Sequence, residues 1–207
     1  MSPSFSPVIV LLAAGEGSRF GGAKQLADIN GEPMVRRVAR VLLETDAPVL
    51  VVTGAYADDV EAVLDDLPLS IVRCEAWQLG MGNSLATGVS EIMHTFSHAS
   101  AVLVALADQP LLSPLALKTM LERHRQAPDQ VFATERDGVQ GPPALFPRDC
   151  FGALAALSGS KGARALLQRE AARLELFAMN DVADVDTLDD LLKVQAALAA
   201  PKPPQAT

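Results

Sequence analysis

Short, continuously apolar runs alternate along this chain with stretches whose apolar positions fall on one helical face. Val8–Ala13 is the first such run, and its unbroken apolarity predicts a central strand buried on both faces. The glycines from Gly15 to Gly22 then deny the backbone regular structure. After an Asn30-Gly31 turn, Pro33 opens a helix over Met34–Glu44, with Val35, Val38, Ala39 and Leu42 inward. Pro48–Thr53 reads as a second strand, Ala57–Asp65 as a helix and Leu69–Arg73 as a short strand. Ser84 is placed to cap a helix reaching His94. Ala101–Ala107 is an apolar strand that ends at Asp108. Ser113-Pro114 supplies an N-cap and a first-turn proline for a helix over Leu115–Arg125. Val131–Thr134 predicts another strand. Regularity is then expected to fail through Asp137–Pro147, a proline- and glycine-rich interval that suits an irregular binding loop. Helices over Phe151–Leu157 and Ala163–Arg169, a strand over Leu174–Ala178 and a closing helix over Thr187–Ala200 complete the pattern.

Repeated α/β steps of this kind predict a three-layer α/β/α sandwich with a mainly parallel sheet. Ligands of such folds bind beyond the carboxyl edge of the sheet, which brings Ala14–Lys24 and Asp108 to one face. With 207 residues the chain has enough surface to bury for one full core, so 1–207 reads as a single domain, frayed at 1–6 and 201–207.

Composition narrows the function. Hydrophobic residues make up 49% of the chain but aromatics only 4%, which suits an aliphatic core better than a base-stacking surface. A formal charge of −8 disfavours binding to long nucleic acids or anionic membranes, whereas a single nucleotide needs only a local positive site. Cys74 and Cys150 lack the spacing of a thiolate metal site and read as packing residues in a reducing compartment. Neither a leader-like start nor a membrane-length apolar span is evident, so a cytoplasmic location is expected.

The chemistry concentrates in Val8–Lys24, VIVLLAAGEGSRFGGAK, where a strand breaks into glycines and then reaches a lysine. Two familiar nucleotide loops fail to match. A dinucleotide fingerprint requires GxGxxG, but Phe20 follows Gly15 and Gly17, and the next strand ends at Thr53-Gly54 rather than at an acidic residue. A P-loop requires GxxxxGK, but Ala23 separates Gly22 from Lys24. His94, His98 and His124 form no zinc motif.

The segment LLAAGEGSRFGGAKQL resembles the LAAGxSxRxGxxKxL loop of the MobA-like nucleotidyltransferases. Within them, Trp77-Gln78-Leu79-Gly80-Met81-Gly82-Asn83-Ser84-Leu85, Ala107-Asp108-Gln109-Pro110 and Asp184-Val185-Asp186-Thr187 are most similar to the molybdenum cofactor cytidylyltransferase group. The resemblance runs from Val8 to Leu192 and implies a Rossmann-like nucleotidyltransferase fold. It implies that Ala13, Ala14, Gly15 and Gly17 pass beside the nucleotide, that Arg19 meets its phosphates and that Lys24 lies between donor and acceptor phosphates. Gly80, Met81, Gly82 and Asn83, with Ser84 beside them, match the loop for base and ribose, while Trp77 suits packing or ligand contact equally. Asp108 would hold Mg²⁺ with Asp186. Asp184 lies on the same side, and Asp186 alternatively reads as an N-cap answered by Asp189.

The implied reaction transfers CMP from CTP to Mo-molybdopterin with release of pyrophosphate. It needs no general-base histidine, because a phosphate nucleophile is already ionised. A molybdoenzyme or maturation chaperone is the implied protein partner. Gly138–Phe146 resembles the acceptor-facing GxxGHPxxF stretch, with Pro142-Pro143 replacing His-Pro. Gly159–Arg164 resembles a GDxGAR turn with Ser160 in its acidic position, so Lys161 and Arg164 suit either an acceptor phosphate or solvent. Two alternatives stay open: transfer to a sugar phosphate or other small phosphate acceptor, and a molybdenum cofactor binding and delivery protein.

Overall fold

The computed structural model describes residues 6–136, 138–177, 179 and 183–199. In chain order the elements are β1 (Val8–Leu12), β2 (Asp28–Ile29), β3 (Glu32–Pro33), α1 (Met34–Leu43), β4 (Val49–Thr53), α2 (Ala57–Ala62), β5 (Ser70–Arg73) and α3 (Met81–Thr95). They continue with β6 (Ala101–Leu106), α4 (Pro114–Gln126), β7 (Val131–Arg136), β8 (Val139–Pro147), α5 (Phe151–Ala155), α6 (Arg164–Arg169), β9 (Leu174–Phe177) and α7 (Leu188–Ala199). Seven strands form one sheet in the order β5-β4-β1-β6-β8-β7-β9, and β2 and β3 pair separately around the Asn30-Gly31 turn. β1 runs parallel to both β4 and β6, while β8 is antiparallel to its two neighbours.

The alternation of side chains along a strand divides the core into two layers. Val8, Val10 and Leu12 of β1 face a cluster built with Leu85, Val89 and Ile92 of α3 and with Phe151 and Leu154 of α5. Ile9, Leu11 and Ala13 face the opposite cluster, with Val38 and Leu42 of α1, Val60 of α2 and Leu117 and Met120 of α4. All five β1 side chains are buried, and each contributes roughly 1.5–3 kcal/mol to the folded state. The fold is therefore the expected α/β sandwich with a mostly parallel sheet. A third, smaller cluster joins Val185 and Val194 to Ile29 and Met34, which docks α7 beside the small hairpin.

Four expectations need correction. The interval expected to be an irregular binding loop instead holds a nine-residue strand, Val139–Pro147, inserted between β6 and β7. The two prolines misled the pattern because they occupy a bulge. The β7 register passes from Ala133↔Ala144 to Thr134↔Gly141, leaving Pro142 and Pro143 outside the ladder, where missing N–H groups cost nothing. Ser84 does not cap α3, which starts three residues earlier from Gly80, so Ser84 lies within the first turns. The helices expected over Ala57–Asp65 and Phe151–Leu157 are shorter, ending at Ala62 and Ala155. Ser6, assigned to a frayed end, is tied down through its carbonyl, which accepts the Ser100 N–H at 3.2 Å. Of the expected frayed ends, 1–5 and 201–207 lie outside the described residues, as do Asp137, Ala178 and Ala200.

Candidate active site

Because β1 and β6 are parallel neighbours, with Leu12 opposite Leu106, their carboxyl ends open side by side. The glycine-rich loop leaves one and Asp108 follows the other. Lys24 closes the gap: its Nζ lies 2.6 Å from Asp108 Oδ2 and 3.1 Å from Asp186 Oδ1, joining residues 84 and 162 positions apart. Arg19 approaches from outside, 3.1 Å from Asp186 Oδ2, with its side chain 76% exposed against 15% for Lys24.

The loop owes its shape to one carbonyl. Gly17 O accepts from the N–H groups of Phe20 and Gly21 at 2.9 and 3.0 Å. Gly17 has φ +69°, and a Cβ there would sit 2.1 Å from Gly22 O, so only glycine fits. Gln25, which sequence reasoning missed, braces the strand exit from below. Its buried Nε2 donates to Ala13 O at 3.1 Å and to Gly15 O. A glutamine next to a catalytic-looking lysine carries no distinctive spacing, so nothing in the sequence marked it.

Loop, lysine and aspartates line a cleft of about 650 Å³, within the range of small-molecule sites. Ala13, Ala14, Gly15, Gly17, Arg19, Lys24, Gly80, Met81, Ser84, Asp108 and Asp186 all contribute to its walls. Trp77, left open between packing and contact, also lines it, together with Phe20 and Ser160. Gly82 and Asn83 do not line it, because both face the turn at Gly159.

Electrostatics distinguish the acidic residues. Burial pushes the Asp108 carboxyl above its ordinary value, and the attraction and hydrogen bond of Lys24 only partly oppose this. For Lys24, burial works against the charged amine but is outweighed by Asp108 and then Asp186, so its pKa is raised. Lys24 is therefore a fixed cation at neutral pH. Asp108 Oδ1 is buried without a hydrogen-bond partner. A stranded carboxylate oxygen beside a cationic loop is a group that a bound ligand would satisfy.

Asp186 is not the N-cap of the final helix. Thr187 and Asp190 form that reciprocal pair: the Asp190 carboxylate accepts from Thr187 N–H at 2.9 Å, and Thr187 Oγ1 accepts from Asp190 N–H at 3.2 Å. Asp186 is thereby left to face Lys24 and Arg19. Asp184 accepts from Gln109 Nε2 at 2.9 Å, which ties it to the residue after Asp108. Val185 between them donates its N–H to Asp108 O at 2.8 Å, fixing this segment against the end of β6.

An α/β sandwich with a glycine loop, a fixed lysine and an aspartate at one sheet edge defines a nucleotidyltransferase-type protein. The MobA-like NTP transferase domain matches residues 9–174, and the chain belongs to that family. Among curated relatives, it is 32% identical to the nicotine blue oxidoreductase of Paenarthrobacter nicotinovorans, covering 89% of this chain and 94% of that protein. It is 28% identical to the purine catabolism protein PucB of Bacillus subtilis, over 92% of this chain and 96% of PucB. The bifunctional protein GlmU of Geotalea daltonii is 31% identical over 64% of this chain, which spans 29% of GlmU. Among solved structures, Rv0371c of Mycobacterium tuberculosis superposes with a TM-score of 0.80 at 25% identity, over 92% of this chain and 97% of that one. A CMP:2-keto-3-deoxy-manno-octonic acid synthetase complexed with CTP shares the fold, with a TM-score of 0.73 at 21% identity, covering 94% and 98% of the two chains. No helix among the described residues is long and apolar enough to cross a membrane.

Proposed function

We propose that this chain transfers a nucleotidyl group from a ribonucleoside triphosphate to a small phosphate-bearing acceptor. The observation that carries this reading is the unpartnered Asp108 Oδ1 beside Lys24, in the cleft that the glycine loop also lines. The acceptor's phosphate oxygen would form a bond to the α-phosphorus, and the bond from that phosphorus to the β-phosphate oxygen would break. Pyrophosphate leaves with the electron pair. Arg19 and Lys24 offset charge on the nonbridging oxygens as it grows, and the loop keeps the triphosphate aligned.

Asp108 and Asp186 are the residues that would hold Mg²⁺. A hard divalent cation suits two carboxylates and phosphate oxygens, and when bound it would neutralise phosphate charge. The loop resemblance favours CTP as donor and Mo-molybdopterin as acceptor within this class. The relatives' names widen the range of acceptors, and the GlmU and CMP-octonic acid synthetase likenesses support a sugar-type acceptor better than the molybdenum cofactor. A second reading, an oxidoreductase, is favoured by the likeness over nearly the full length of nicotine blue oxidoreductase.

A matrix of CTP, GTP, ATP and UTP against Mo-molybdopterin and simple sugar phosphates, with and without Mg²⁺, tests the proposal through pyrophosphate release. Mg²⁺-dependent release that requires an acceptor is expected. Turnover only with a sugar phosphate would reject the molybdenum cofactor acceptor. Cofactor binding without pyrophosphate release would favour the delivery role. In a separate arm that adds NADH or NADPH as probe reductant and a dye as electron acceptor, protein-dependent dye reduction with no pyrophosphate release from any pair would favour the oxidoreductase.

A further inference from the structure

We infer that Asn83 is a positioning residue, whose side chain sets the Ser158–Gly162 turn and through it the shape of both the nucleotide cleft and an adjoining cavity. The inference rests on the nucleotidyltransferase reading of that cleft, and it gives Asn83 a different task from the base contact that the loop resemblance implies.

Two hydrogen bonds join the start of α3 to the turn in opposite directions. Gly82 N–H donates to Gly159 O at 2.7 Å, and Gly159 N–H donates to Asn83 Oδ1 at 2.9 Å. Both polar groups of Gly159 are thus satisfied by consecutive residues of one helix. The contact is also sterically closed: a Cβ on Gly82 would lie 2.7 Å from Ser158 O, and one on Gly162 would lie 2.9 Å from Met81 Sδ. The turn has little room to settle elsewhere while the two bonds are intact.

The turn serves two spaces. Ser160 lines the 650 Å³ cleft, whereas Lys161 and Arg164, just beyond, line a smaller cavity of about 60 Å³. That cavity shares Leu12 and Met81 with the cleft, so the two adjoin. Asn83 lines neither. Its influence on a ligand therefore has to pass through the turn, in contrast to a residue that touches the nucleotide.

Loss of the Asn83 acceptor would leave Gly159 N–H unpaired and free the turn. Asn83→Asp keeps an oxygen at the same place, and Asn83→Ala does not. Amide hydrogen exchange over residues 157–164 of the ligand-free protein, with affinity for whichever of CTP, GTP, ATP and UTP wild type binds best with Mg²⁺, tests the inference. In Asn83→Ala, exchange at Gly159 should rise about tenfold, in keeping with a lost hydrogen bond, and nucleotide affinity should fall several-fold. Asn83→Asp should restore both. Wild-type-like exchange in Asn83→Ala would overturn the inference. So would Asn83→Asp losing affinity as severely as Asn83→Ala while the turn stays protected, since that pattern marks direct contact through the amide. Failure of wild type to bind any of the four nucleotides would reject the nucleotidyltransferase reading instead, and the exchange measurement would still decide what Asn83 holds.

Discussion

Lys24 is a cation that the fold holds in place before any ligand arrives, between two carboxylates that would otherwise repel each other across the cleft. Replacing it with alanine removes charge from the proposed transition state without opening a cavity in either core layer. Turnover of Lys24→Ala should fall roughly 10²-fold in a protein that still unfolds in one cooperative urea transition, at a midpoint lowered by the loss of the Asp108 partner, both read on one preparation. Cys150 illustrates the opposite kind of residue. It is buried, its thiol is pushed up to about 12 chiefly by burial and then by Asp149, and Arg173 donates to its sulfur at 3.3 Å. Alkylation of Cys150 should be negligible in native protein at pH 8 and complete after unfolding, measured by mass spectrometry. The lysine was legible from its place after a glycine-rich strand exit. Gln25 was not, and Asn83 was singled out only for a nucleotide contact and not for its bond to Gly159, because an amide that braces main-chain groups of distant or non-helical segments leaves no periodic trace.

Helix α3 connects the core to the site and is seated where it is by close approach. A Cβ on Gly88 would fall 2.6 Å from Val10 Cγ2 and 2.8 Å from Val52 Cγ2. Gly88→Ala should therefore force α3 off β1 and β4, costing about 1–3 kcal/mol in chemical denaturation despite alanine's better helix propensity. In α4, His124 is buried with Nδ1 unpartnered, and burial, with Arg125 adding to it, holds its pKa below the ordinary 6.5. The folded state then binds that proton less readily than the unfolded chain, so stability should decline as pH falls from about 6.5 toward the lower folded value. Unfolding midpoints at pH 7.5 and 5.5 should differ less in His124→Gln than in wild type. Apolar runs announced β1, β4 and β6 because those strands are buried on both faces. Strand β8 was hidden because its prolines, read as breakers, sit in a bulge that needs no donors. The start of α3 was hidden because Gly80, not a hydroxyl residue, precedes it.

At the scale of the molecule, the sheet's strand order does the assembling. β1 lies between β4 and β6, so the loop after β1 and the aspartate after β6 meet without any long-range search by flexible segments. That meeting was legible from two apolar runs with chemistry at their carboxyl ends. The third participant, Asp186, was named by the Asp184–Thr187 resemblance but stayed open between site and N-cap, because only the fold shows Val185 bonded to Asp108 O and the Thr187–Asp190 pair taking the capping task. Loop, Lys24, Asp108 and Asp186 line one cleft, the proposed site for a divalent metal and a nucleoside triphosphate. The decisive measurement is binding of Mn²⁺ in the presence of CTP, followed by electron paramagnetic resonance in wild type, Asp108→Asn and Asp186→Asn. Wild type should form a ternary complex that weakens at least about tenfold in each variant. Equal Mn²⁺ affinity in wild type and Asp108→Asn would contradict it.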